Sequence, residues 1–72
     1  MDKRLERQIG ARIQLLRRAR TGLSQEKFSV AAGIDYSYLA GVEQGRHRLS
    51  VSMLKRIADG LDLSMSEILK GL

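Results

Sequence analysis

Leu5, Ile9, Ile13 and Leu16 recur at spacings of four and three along one segment, from about Lys3 to Arg20. Only an α-helix lays residues so spaced along one face. Similar apolar spacing returns in four shorter segments, each opened by a residue suited to capping a helix N-terminus. No period-2 run is long enough for a strand, and the chain has no proline. The expected fold is therefore all-α, a compact five-helix bundle in a single domain over residues 1–72.

The segments divide cleanly. Leu15 falls off the first stripe and is expected at the surface, and "TG" at 21 and 22 stops that helix. Ser24 caps the second, with Glu26 in its first turn, where the helix dipole favours an anion. Its inward residues are Phe28, Ser29 and Ala32, with Leu23 just before the cap. Gly33 stands where a left-handed terminating residue is needed. Asp35 caps the third helix, Leu39 and Val42 form its buried side, and Gly45 ends it. After "RHRL", Ser50 caps a fourth helix with Val51, Leu54, Ile57, Ala58 and Leu61 inward. Ser64 and Glu67 form a capping box for a short fifth helix carrying Ile68 and Leu69.

Seventy-two residues lie near the lower limit for a self-sufficient core. There is no cysteine, so neither a disulfide nor a thiolate zinc site can supplement packing. That composition fits a reducing cytoplasm, the expected location. Phe28, Tyr36 and Tyr38 are the only aromatics, so the core must be mostly aliphatic.

A net charge of +5 and a pI near 10.3 point to a polyanionic partner, nucleic acid before anionic membrane. No apolar run approaches the roughly 20 residues that span a bilayer. The N-terminal segment has charges where a secretory signal would need an apolar stretch, and Asp2 and Glu6 oppose a mitochondrial transit peptide. Membrane-surface binding by the first helix would compete with the core for Ile9, Ile13 and Leu16. The distribution of charge is more informative than the total. Residues 1–20 carry seven bases and two acids, and 46–56 carry four bases and no acid. Between them, 21–45 carry one base and three acids.

Catalysis has no visible basis in the sequence. There is no paired-carboxylate constellation, histidine cluster, Ser/His/Asp set or phosphate-cradling loop. His47 stands alone in a loop with no second metal ligand or nucleophile near it in sequence, and reads as exposed and incidental. No metal and no cofactor is expected.

The acidic centre contains "GIDYSYLAGVEQG", residues 33–45. A glycine inside so short a helix, Gly41, costs about 1 kcal/mol relative to alanine, and the helix has no Lys or Arg. Two short helices around a Gly-containing turn form a helix-turn-helix arrangement. "GLSQEKFSVAAGIDYSYLAGVEQG" resembles the DNA-binding core of the phage repressor and Cro-type family, the xenobiotic-response-element-like regulators. The likeness rests on "LSQ" opening one helix, the small residue Ser29, "AG" in the turn, "SYL" in the next helix and "EQG" at its end. "LSVSMLKRIADGLDLSMSEIL" is similar to the family's last two helices. Together these cover roughly residues 9–69.

The resemblance implies a double-stranded DNA partner, a helix-turn-helix over about 24–44, and a recognition helix over about 35–44 in the major groove. It makes Gln25 a clamp on the DNA backbone and first base pair; the alternative is a solvated first-turn glutamine. The outward face of the recognition helix is expected to hold Tyr36, Ser37, Ala40 and Gly41. Tyr38 sits to one side, either packing or reaching a phosphate. Gly41 either lets the helix approach the bases closely or faces solvent or a tight crossing. A helix without Lys or Arg can read base edges but adds little phosphate electrostatics, so Arg46 and Arg48 in the following loop are the expected backbone contacts. Lys27 and Lys55 are further candidates, and Arg4, Arg7 and Arg12 read as long-range steering charges. The family also joins an arginine late in the first helix to the glutamate at the end of the recognition helix, here Glu43. Its partner is Arg17 if the turn before Gly22 carries one extra residue, and Arg18 otherwise; the apolar register favours Arg17.

Met53, Met65, Leu69 and Leu72 exceed what a small core obviously needs. Met53 and Leu69 also suit core filling, while Met65, Leu69 and Leu72 suggest a homodimer, with two recognition helices about 34 Å apart on a palindromic site. Leu49 replaces the proline many relatives carry before the fourth helix. The alternative function is a protein-interaction module, such as an antitoxin or antirepressor, using Tyr36, Tyr38 and the apolar C-terminal face with weak or no DNA binding.

Overall fold

The computed structural model describes residues 3–72; Met1 and Asp2 lie outside the described residues. Five helices follow in order: α1 (Arg4–Arg20), α2 (Gln25–Ala32), α3 (Tyr36–Glu43), α4 (Val51–Leu61) and α5 (Met65–Leu69). α1 packs on α3, α4 and α5, while α2 packs on α3 and α4. Every side of the core is therefore helical.

The caps act as their sequence suggests. Ser24, Asp35 and Ser50 each accept a hydrogen bond from the backbone N–H three residues on, at 3.2, 3.1 and 3.1 Å. Ser64 and Glu67 satisfy each other's backbone donors at 3.1 and 2.9 Å. A lost cap costs about 1 kcal/mol, so these side chains fix where short helices begin. α2 ends on Gly33 at φ 68°, a conformation that disfavours residues with a Cβ. Asp62 ends α4 at φ 58°; Asp tolerates the left-handed region better than most non-glycine residues.

Ile13, Phe28, Leu39, Ile57, Leu61 and Ile68 form the fully buried centre. Three expected core residues differ. Val51, in the first turn of α4, is 73% exposed, and Leu5, in the first turn of α1, is 52% exposed. Leu69 is 36% exposed while its neighbour Ile68 is fully buried. Adjacent residues on a helix lie about 100° apart, so a five-residue helix docked on one face cannot bury both. Conversely, Ile34 in the turn after Gly33 is buried, and Leu63 packs against the core.

Part of the positive charge is used inside the fold. Arg12 donates from Nε to the Ile68 carbonyl at 3.0 Å and from Nη2 to the Glu67 carbonyl at 3.2 Å. Arg20 Nε donates to the Leu61 carbonyl, and Arg56 Nη1 to the Gly33 carbonyl. Each cation thus meets carbonyls at or near the C-terminus of another helix, where orphan acceptors and the dipole favour it. Arg12 is therefore a clamp on α5 rather than only a steering charge.

Candidate nucleic-acid interface

α2, its turn and α3 are set against α1 by one buried polar network. Arg17 Nε donates to Glu43 Oε2 at 2.7 Å and Nη2 to Oε1 at 3.0 Å, with both side chains almost wholly buried. Arg17 Nη1 also donates to the Leu23 carbonyl at 2.6 Å. Gln25 Nε2 donates to Glu43 Oε1 at 2.8 Å. One carboxylate at the end of α3 therefore holds α1 and the start of α2. Arg18 takes no part in this pair; it is exposed and lines a polar groove with Gln14, Gln25 and Tyr36.

Close packing supports the same geometry. At Gly10 of α1 an added Cβ would collide with the Val42 carbonyl oxygen and lie 2.8 Å from that of Glu43. The absence of a side chain lets α1 rest directly on the last turn of α3. Sequence reasoning missed Gly10, because nothing local marks a helix glycine as a crossing point.

At the other end of α3, Asp35 Oδ2 accepts from the Ser37 hydroxyl at 2.6 Å and from the Tyr38 N–H at 3.1 Å. These bonds, the Ser37 hydroxyl first, hold the Asp35 carboxyl below the usual value. With its proton directed to Asp35, Ser37 presents its oxygen outward as an acceptor. Tyr36 is half exposed, Ser37 is exposed and Ala40 is partly covered.

Gly41 is not on that outward face. It is buried, and an added Cβ would run into the imidazole of His47. The expectation that Gly41 admits DNA is corrected: its missing side chain makes room for a loop residue of the same chain. His47 is exposed, as expected, but its ring is packed rather than free. Its ring stacks on Tyr38, with centroids 5.4 Å apart and planes 8° apart. Tyr38 is turned towards the loop, its hydroxyl donating to the Arg48 carbonyl at 2.9 Å. Its single proton is committed to that carbonyl, and a phosphate, itself only an acceptor, would have to displace the bond, so the packing reading of Tyr38 describes the free protein.

Arg46 and Arg48 are exposed on this loop, and the Arg46 N–H donates to the Gly41 carbonyl at 2.8 Å. Lys27 and Lys55 are exposed, and Lys55 pairs with Asp59 at 2.8 Å on the surface of α4. Of the expected dimer residues, Met65 is partly buried against the protein's own core. Leu69 and Leu72 are 36% and 46% exposed. No described helix is long and apolar enough to cross a membrane.

Comparisons with known proteins agree with this architecture. A helix-turn-helix domain family model matches residues 8–69. The control protein C.MunI of a Mycoplasma species is 33% identical over 60 residues, covering 83% of this chain and 81% of that protein. The solved restriction-modification controller protein C.AhdI from Aeromonas hydrophila superimposes with a TM-score of 0.83 at 36% identity, covering 88% of this chain and 94% of that one. The clp gene regulator ClgR from C. glutamicum superimposes with a TM-score of 0.84 at 25% identity, over 90% and 82% of the two chains. With its capped α2–turn–α3 unit, an α3 that carries no Lys or Arg, and a basic flanking loop, the chain belongs to the helix-turn-helix family of DNA-binding transcription regulators.

Proposed function

We propose that the protein represses or activates transcription as a homodimer on a palindromic operator, acting in the cytoplasm at the nucleoid. α3 lies in the major groove with Tyr36, Ser37 and Ala40 towards the bases. Ser37, as an acceptor, suits the exocyclic amine of adenine or cytosine, and Tyr36 packs on a thymine methyl. The first N–H groups of α2 precede any intrahelical acceptor and meet a phosphate, with Gln25 beside them. Arg18, Arg46 and Arg48 supply phosphate contacts from either side of α3. The observation that carries this reading is the exposed, uncharged start of α3, held at a fixed angle by Arg17, Glu43 and Gln25. With no bidentate Arg, Lys or Gln on that face, part of the specificity falls to DNA deformability.

Exposed Leu69 and Leu72, with the outer part of Met65, form the two-fold contact between protomers. The likeness to the control protein C.MunI and the restriction-modification controller protein C.AhdI supports a role in controlling a restriction–modification system, through dimerisation and cooperative occupancy as concentration rises. Selection of bound duplexes from a randomised DNA pool at near-physiological salt, followed by sequencing, tests the reading. Half-sites separated by about one helical turn, roughly 34 Å, are expected. A folded protein that enriches no motif would refute it and direct the search to a protein partner.

A further inference from the structure

The tripeptide Arg46-His47-Arg48 is tied to α3 at three points. Its first N–H donates to the Gly41 carbonyl at 2.8 Å, and its last carbonyl accepts from the Tyr38 hydroxyl at 2.9 Å. Between them the His47 ring stacks on Tyr38, with centroids 5.4 Å apart. The same ring lies over Gly41, so close that a Cβ there would come within 2.5 Å of Nε2 and nearer still to Cδ2. Leu49 follows where a proline would have stiffened the chain. The loop is held instead by an aromatic stack seated on a glycine.

We propose that His47 is a positioning residue for DNA binding, and that Gly41 is the seat its ring requires. The imidazole touches no base. It fixes the backbone from which Arg46 and Arg48 reach the phosphates, a role that rests on the phosphate contacts proposed above. Without the ring the loop keeps its two hydrogen bonds to α3 and loses the stack. Its order must then be completed at the moment of binding, and the complex forgoes about one phosphate contact rather than meet that cost. The interior glycine of α3 then has a physical cause: its helix-propensity cost is accepted where a side chain would expel the ring.

The test uses one duplex from the enriched pool and measures affinity across a range of salt concentrations. The variants are His47→Ala, His47→Phe, Gly41→Ala, the Gly41→Ala/His47→Ala double and Arg46→Ala/Arg48→Ala. Thermal melting confirms that each is folded. Arg46→Ala/Arg48→Ala should lower the slope of log K against log salt by about 0.9 per lost phosphate contact. His47→Ala should bind about 3–10-fold more weakly, with a slope reduced by about one contact. His47→Phe, which keeps a flat ring, should restore affinity and slope. Gly41→Ala should resemble His47→Ala, and the double variant should be no worse than either, because removing the ring removes the collision. If the arginine variant loses slope while His47→Ala keeps it, or His47→Phe fails to rescue, the positioning role is wrong and the phosphate contacts stand. If the arginine variant keeps the wild-type slope, the phosphate reading itself fails, and the role of His47 with it.

Discussion

Glu43→Gln tests the hinge on which the orientation of α3 depends. In the protein, both oxygens of Glu43 accept from Arg17, and one also accepts from Gln25; the carboxylate side chain has no exposed surface and that of Arg17 only 4%. An amide at this position leaves one oxygen as acceptor and points an N–H₂ group towards a donor. Removing one charge of a buried pair costs about 3–5 kcal/mol. The oxygen that remains returns about 1 kcal/mol, so a net loss of about 2–4 kcal/mol is expected. A chain of 72 residues has a total stability of about 4–11 kcal/mol at 0.05–0.15 kcal/mol per residue. Such a loss is a large share of it and lowers Tm by about 10 °C or more. Urea denaturation should move the midpoint with little change in slope. Replacing both partners, as in Arg17→Met/Glu43→Leu, should lie closer to wild type than Glu43→Gln, since no uncompensated charge stays buried. A loss below about 1 kcal/mol for Glu43→Gln would show that the network does not hold α3.

Three further outcomes follow from other contacts. Gly10→Ala gains about 1 kcal/mol of helix propensity but meets backbone carbonyls that cannot swing away. Overpacking of about 3 kcal/mol should leave a net loss near 2 kcal/mol by denaturant titration; a stabilised variant would contradict the crossing. Arg12→Ala releases the C-terminal carbonyls of α5 and should raise amide exchange in residues 65–72 before the rest; unchanged exchange there would count against the clamp. The carboxyl of Asp35 is held low by the Ser37 hydroxyl and then the Tyr38 N–H, and that of Glu67 by the Ser64 N–H and then its hydroxyl. Their folded values lie below the unfolded ones, so their contribution is present at neutral pH and is lost as pH falls through about 4 and below. Tm should decline across that range, and Asp35→Asn/Glu67→Gln should flatten the decline; an equally steep limb would exclude these caps as its source.

The parts of the fold legible in sequence are those set by local rules. Ser24, Asp35, Ser50 and the Ser64–Glu67 box mark helix starts because a cap and its backbone donor lie within three residues. The stripes of α1 and α4 place Ile13, Ile57 and Leu61 correctly for the same reason. Ile34 escaped because a turn residue has no periodicity. The sequence leaves Gly41 open between close approach to DNA and a crowded contact, because its surroundings depend on His47, whose position is set by ties between the loop and Tyr38. Arg12 shows only its charge in the sequence, whereas its role comes from carbonyls more than fifty residues away in the chain. Long-range partners of exposed-looking residues leave no local mark.

The most direct measurement of the account is an amide chemical-shift map of the labelled protein, titrated with a duplex from the enriched pool at near-physiological salt. Large perturbations should gather at residues 24–26, 36–40 and 46–48, the start of α2, the start of α3 and the basic loop. Perturbations centred instead on α4 and α5, with α3 unchanged, would contradict it.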